Sequence, residues 1–402
     1  DNIDLAGNLT LSGHVSANGG YCSDENNNSK FGTGALNGLT TGTKNTASGY
    51  RSLYSNENGH YNTASGYGSL KSNTSGSNNT ASGYKALCSN TTGGSSVAIG
   101  NKAGLNNTTA TVVAIGAAAL CGNTTGFRNA AVGHAALKTT STGGRNAGFG
   151  TKSLYKNTTG NNNTASGTYS LYCNTTGSLN TASGYGALRS NTTASNNTAV
   201  GGCSLYANTT GAQNTAVGFK TLVANTCGTN NTASGYYSLK TNTTGIGNTG
   251  YGAYSLCKNT TGCRNVAFGL SSLFNNTTAN FNTAVGSCGL FTNTTGCGNA
   301  AVGFSALVKN TTGINNVAVG ISALFCNTTA TYNVGVGYQG LYTNSTGCQN
   351  TGVGYNVLFS NTSGCHNTAY GAKALQSNTT ACFNTAVGAC SLYANTTGTC
   401  NT

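Results

Sequence analysis

The chain has 402 residues, a formal net charge of +13, 60 Gly, 16 Cys and no Pro, Met or Trp, with only 6% of its residues charged. Disorder goes with high net charge and few apolar residues; here the apolar residues recur in strict register, which excludes disorder for residues 32–402. No run approaches the ~20 apolar residues of a membrane helix, and no charged-then-apolar signal segment opens the chain.

Residues 1–31 read as a strand-rich leader or cap, carried by Asn8-Leu9-Thr10-Leu11-Ser12-Gly13-His14-Val15-Ser16-Ala17. From Gly32 a single glycine recurs at Gly49, Gly66, Gly83 and Gly100, and then at every seventeenth residue from Gly116 to Gly388. The one step of sixteen falls between Gly100 and Gly116. The consensus is N-T-A-(V/S)-G-x-x-(A/S)-L-x-x-N-T-T-G-x-x. A fixed short period is the signature of a solenoid, whose repeats bury their apolar faces only by stacking.

Positions are numbered from the glycine as zero. Position +4 is Leu in nearly every repeat, as at Leu53, Leu70, Leu87, Leu188, Leu205, Leu239 and Leu392; Gly104 is the exception, with Leu105 one place later. Position −2 is nearly always Ala or Gly, as at Ala47, Ala98, Ala199 and Ala318, and position +3 is small, as at Ser52 and Ala136. Large facing small fills a thin coil without voids, so the Leu and Ala columns are the expected core.

Gly, Asn and Thr are poor helix formers, which rules against helix. The stretch Asn316-Val317-Ala318-Val319-Gly320 alternates and is β-branched, so it reads as a strand. The Ser/Ala-Leu-Tyr stretch reads as a second short strand, and Asn-Thr-Thr-Gly as a turn. The expected fold is all-β: a parallel β-solenoid over residues 32–402, about 22 coils of 17 residues. At ~4.8 Å per coil it would build a rod of about 105 Å.

Position +7 is Asn, as at Asn90, Asn157, Asn208, Asn259, Asn310 and Asn395, with Leu39 and Thr140 as exceptions. Amides stacked at strand spacing hydrogen-bond up a column. The same Asn-Thr-Thr is also an N-x-[ST] acceptor, so these residues are both ladder and glycan candidates. Position +11 places Cys348, Cys365 and Cys382 on three successive coils. That spacing lies inside the window for a disulfide; Cys as a small apolar filler is the alternative. Position −1 is Ser in several early repeats and apolar at Tyr251, Phe268, Val285, Val302, Val319, Val336, Val353, Tyr370 and Val387. In a strand this residue points away from the Ala column. Such a stripe predicts packing against other chains, as a homotrimer or a filament.

Nothing after Glu57 carries a carboxylate side chain. The four His lie far apart, and no metal-ligand or nucleophile motif appears. The chain is expected to be non-catalytic, with no cofactor. The cations stand singly, as at Lys71, Lys138, Arg189 and Lys240. They keep a rod soluble and also attract anionic partners such as acidic polysaccharide or cell-surface glycan; without a dense basic patch, no specific nucleic-acid site is expected. The absence of an opening Met and the end within a repeat, at Cys400-Asn401-Thr402, read as a processed product or a piece of a longer chain.

Ser96-Val97-Ala98-Ile99-Gly100, Val113-Ala114-Ile115-Gly116 and Asn316-Val317-Ala318-Val319-Gly320 resemble the head repeat of YadA-type trimeric autotransporter adhesins. They are similar also to repeats of phage and viral tail-fibre-like proteins. The resemblance covers about residues 32–402 and departs in period, because the adhesin repeat is shorter and lacks the Asn-Thr-Thr-Gly insertion. It implies a parallel β-roll, three chains around one axis, and an extracellular place on a cell or virion surface. The functional expectation is therefore a structural fibre or filament with an adhesive or receptor-binding role. The alternatives are an ice- or crystal-binding solenoid and a passive filament or sheath component.

Overall fold

In a computed structural model, residues 22–402 are described. Cys22 onward forms β1 (Cys22–Ser23), antiparallel to β2 (Ser29–Phe31). Of residues 1–31, expected as a strand-rich leader or cap, 1–21 lie outside the described range. From β2 on, each coil contributes one strand of three or four residues, paired in parallel with the same residues of the next coil. β3 (Thr46–Ser48) to β10 (Thr164–Ser166) belong to the first of two compact units, residues 1–182. β12 (Thr198–Val200) to β23 (Thr385–Val387) belong to the second, residues 183–402. Among the described residues there is no helix. The chain folds as an all-β solenoid with a 17-residue period.

The core sits where the columns place it. Ala216, Leu239, Ala267 and Leu273 have no exposed surface, and the same holds coil after coil. Of the named Leu column, Leu53, Leu70, Leu87, Leu188, Leu205 and Leu239 are fully buried, and Leu392 is half-buried. Truncating Leu239 to Ala should cost about 3 kcal/mol, whereas Lys240→Gln on the surface should stay within about 0.5 kcal/mol. Denaturation of the two variants side by side checks the assignment of inside and outside.

The second strand expected around the Leu does not form. Positions +3 and +4 are both buried, as at Ser238 with Leu239 and Ala306 with Leu307. Strand neighbours point to opposite faces, so no strand can bury both. Instead Leu239 turns through left-handed backbone at φ 49°, and Tyr237 before it at φ 56°. Such angles are uncommon outside glycine. They are held by burial of the Leu and by the bond from Leu239 N–H to the Ser255 carbonyl at 2.9 Å. The sixteen-residue coil fits the same scheme. It lacks a left-handed residue in the turn before β7 (Val112–Ile115), and Ala98 still pairs with Ala114.

The Asn column at +7 is an internal amide ladder. Asn259 Nδ2 donates to Asn242 Oδ1 at 2.8 Å and to the Gly262 carbonyl at 3.0 Å, and Asn276 Nδ2 donates to Asn259 Oδ1 at 2.9 Å. A second ladder, not anticipated, runs through the Asn of Asn-Thr-Ala at −4. Asn248 N–H donates to Asn231 Oδ1 at 2.9 Å, and Asn248 Nδ2 donates to the same Gly262 carbonyl at 2.7 Å. One carbonyl per coil thus joins the two ladders. At the N-terminal side Asp24 ends the second ladder, with Oδ1 accepting from Asn28 N–H at 2.9 Å and Oδ2 from Asn28 Nδ2 at 3.1 Å.

Thr140 interrupts the first ladder, and its buried hydroxyl has no hydrogen-bond partner. An orphaned buried polar group costs about 1–3 kcal/mol. Thr140→Asn should restore the rung between Asn123 and Asn157 and stabilise the first unit by about 1 kcal/mol. A denaturant midpoint at or below that of the parent would show that the rung is not rebuilt.

Candidate functional site

Folding the sequence onto the coil gathers the scattered cations. Arg51, Lys85, Lys102, Lys152, Lys220 and Lys373 all stand at +2, and Lys71, Lys138, Arg189 and Lys240 at +5, with Lys156, Lys258 and Lys309 one place on. Aromatic residues share these columns and +1. The side chains at +1, +2, +5 and +6 touch one another, so they form one face of the coil. Arg51 lies over both Tyr50 and Tyr54, at 5.2 and 5.3 Å from the ring centroids. Tyr50, Tyr67 and Tyr84 stack in series at 5.1 and 5.4 Å.

In the first unit the face is richest from Lys138 to Tyr172. Tyr155 and Tyr172 stack at 5.1 Å, and Lys138, Lys152 and Lys156 lie over Tyr155, Tyr169 and Tyr172 at 5.5, 5.7 and 5.7 Å. In the second unit Tyr236 and Tyr237 meet edge to face at 4.1 Å, and Tyr254 lies 5.4 Å from Tyr236. Lys220 lies over Phe219 at 5.3 Å and Lys240 over Tyr237 at 4.6 Å. The neighbouring Tyr237 hydroxyl pushes the Tyr236 hydroxyl up to about 12. No residue beyond Glu57 carries a carboxylate side chain. Cations held over rings at exposed sites are worth about 0.5–1 kcal/mol each. The surface therefore offers flat apolar patches beside positive charge, repeated along each unit.

The other candidate residues fall on different faces. Asn90, Asn157, Asn208, Asn259 and Asn310 are fully buried with their amides engaged, and Asn395 is half-buried and donates to Asn378 Oδ1 at 3.1 Å. A glycan on any of the buried five would replace an amide hydrogen the ladder uses, in a space with no exposure. In the folded coil this column is a ladder, and the acceptor reading fails there.

Cys348, Cys365 and Cys382 stack as expected, each a free thiol. Cys365 Sγ accepts from Cys348 N–H at 3.1 Å, and Cys382 Sγ from Cys365 N–H at 3.1 Å. Ser77 Oγ fills the same role for His60 N–H at 3.0 Å. The thiols are thus hydrogen-bond acceptors in the turn, and burial raises the Cys365 thiol above its ordinary range.

The −1 stripe faces outward. Tyr251, Phe268, Val285, Val302, Val319, Tyr370 and Val387 are exposed, and Val336 and Val353 are half-exposed. Tyr251 and Phe268 stack at 4.7 Å. Among the described residues no cluster of three or more His, Cys, Asp or Glu is placed to hold a metal ion. Compared with known proteins, the chain matches no family model and no curated protein.

Proposed function

We propose that this protein is a non-catalytic structural fibre of a cell or virion surface, and that its cationic aromatic face gives it an adhesive role toward anionic glycans. The observation that carries the reading is that face: Lys and Arg seated on aromatic rings, repeated along each unit, with no carboxylate side chain beyond Glu57. Weak contacts on a repeated surface add by effective concentration, so a long array adheres even where each rung binds feebly. The resemblance to adhesin heads and tail fibres supports the same role.

Self-association belongs to this reading. The outward run from Tyr251 to Val387 is apolar on every coil of that stretch. Contiguous exposed apolar surface marks interaction sites, and a homotrimer or filament would cover it.

Two measurements test the proposal. Retention on a sulfated polysaccharide should fall steeply with salt, because exposed charges are screened. Retention that is equal on a neutral polymer would sink the adhesive role. Light scattering should find an oligomer that Val319→Asp dissociates; a monomer unchanged by that substitution would remove the assembly.

A further inference from the structure

The densest part of the face lies in the second unit. Lys220, Lys240 and Lys258 belong to three successive coils, those of Gly218, Gly235 and Gly252. Each ammonium lies over a ring: Lys220 over Phe219 at 5.3 Å, Lys240 over Tyr237 at 4.6 Å and Lys258 over Phe274 at 5.4 Å. The rings cannot neutralise these charges, so each cation still has Coulombic attraction to offer a ligand. Phe219 and Tyr236 stack at 5.9 Å and are 45% and 43% exposed. The stack turns ring faces toward each other and leaves apolar ring edges exposed to a ligand.

The spacing selects the ligand. Successive coils are ~4.8 Å apart, close to the rise of one pyranose residue in an extended polysaccharide. The three lysines stand one to a coil in the neighbouring columns +2, +5 and +6, so the match to one carboxylate per sugar is in number per coil along the stack. The C–H face of each pyranose supplies the flat apolar surface that an aromatic ring packs against, as amphipathic aromatic rings do at interfaces. Duplex nucleic acid carries a charge every ~1.7 Å, a denser array than one cation per coil.

We propose that Phe219, Lys220, Tyr236, Tyr237, Lys240 and Lys258 form a docking surface for a polyuronate, an acidic polysaccharide with one carboxylate per sugar. This rests on the adhesive reading above and names its ligand class and its place. The chain lies along the coils, with carboxylates toward the three lysines and sugar C–H groups against the exposed edges of Phe219 and Tyr236.

The test uses the full chain and polygalacturonate as probe, with its methyl ester as the neutral control and a thymidine oligonucleotide as the competing polyanion. Loss of charge on the ligand should weaken binding about tenfold or more, and the triple variant Lys220→Gln/Lys240→Gln/Lys258→Gln should weaken binding of the acid form about tenfold. Tyr236→Ala should weaken both forms of the polymer. Circular dichroism and melting of each variant should match the parent, and Lys240→Gln alone gives the same direction if the triple variant does not fold. Unchanged affinity in a folded triple variant overturns this site and leaves the adhesive face elsewhere intact. Tighter binding of the oligonucleotide than of polygalacturonate overturns the glycan assignment. Failure to bind any acidic polymer overturns the adhesive reading as well.

Discussion

Gly303→Ala destabilises its part of the solenoid by about 4 kcal/mol, whereas Gly313→Ala, ten residues on, costs about 1 kcal/mol or less. Both glycines are tight. A Cβ at Gly303 would meet the Gly320 carbonyl oxygen at 2.5 Å, and one at Gly313 the Ala330 carbonyl oxygen at 2.4 Å. The difference lies in the backbone. Gly303 has φ +133°, in a region essentially reserved for glycine, whereas Gly313 has no such angle. The chain itself supplies the control, because Ala110, Ala194, Ala279, Ala330 and Ala381 fill the column of Gly313, while the column of Gly303 is Gly in every repeat. A clash that a neighbour can relieve by a small shift is absorbed; a clash added to a forbidden φ is not. Hydrogen exchange of the coils around each substitution, with the denaturant midpoint, reads the contrast. Equal losses at the two sites would mean that crowding alone, and not φ, holds the glycine column.

Much of this was legible because a period of 17 converts sequence into columns. The Leu and Ala columns announced the core, since large and small apolar residues in fixed register have no other use in so thin a coil. The strand at Thr-Ala-Val was legible from alternation. The Leu turn was not, because Ser-Leu-Tyr has strand composition, and only the burial of two consecutive residues, Ser238 and Leu239, reveals the left-handed bend. The second Asn ladder was hidden in the strand's own flank: Asn248 reads as the start of Asn-Thr-Gly, and its bond to the Gly262 carbonyl spans fourteen residues. The cationic face looked like single scattered charges, since Lys220 and Lys240 are twenty residues apart along the chain. Assigning each to its column, +2 and +5, was the signal that could have found it. What a linear reading cannot supply is that these columns meet around one corner of the coil, as the contact of Arg51 with both Tyr50 and Tyr54 shows.

Asn259→Asp tests the buried ladder through pH. The Asn259 amide donates to two acceptors, Asn242 Oδ1 and the Gly262 carbonyl, while Oδ1 accepts from Asn276 Nδ2. Aspartate is nearly isosteric, so packing barely changes, but an ionised carboxylate would set a negative oxygen against both acceptors. Only the protonated acid can still donate. Burial and these acceptors therefore raise the new carboxyl's folded-state pKa above its ordinary ~3.9. The folded state then binds the proton more tightly than the unfolded chain, so stability falls as pH rises above the unfolded value. The loss reaches about 4 kcal/mol at neutral pH, the cost of an uncompensated buried charge, and shrinks toward that of a single impaired hydrogen bond below pH ~3, where the acid is protonated in both states. Asn259→Leu removes the donor without adding a titratable group, so its loss should be nearly independent of pH. Paired denaturation curves at acid and neutral pH, each referred to the parent at the same pH, separate the two. A loss for Asn259→Asp that is small and unchanged between them would place this amide in water and dismantle the ladder as the element that joins one coil to the next.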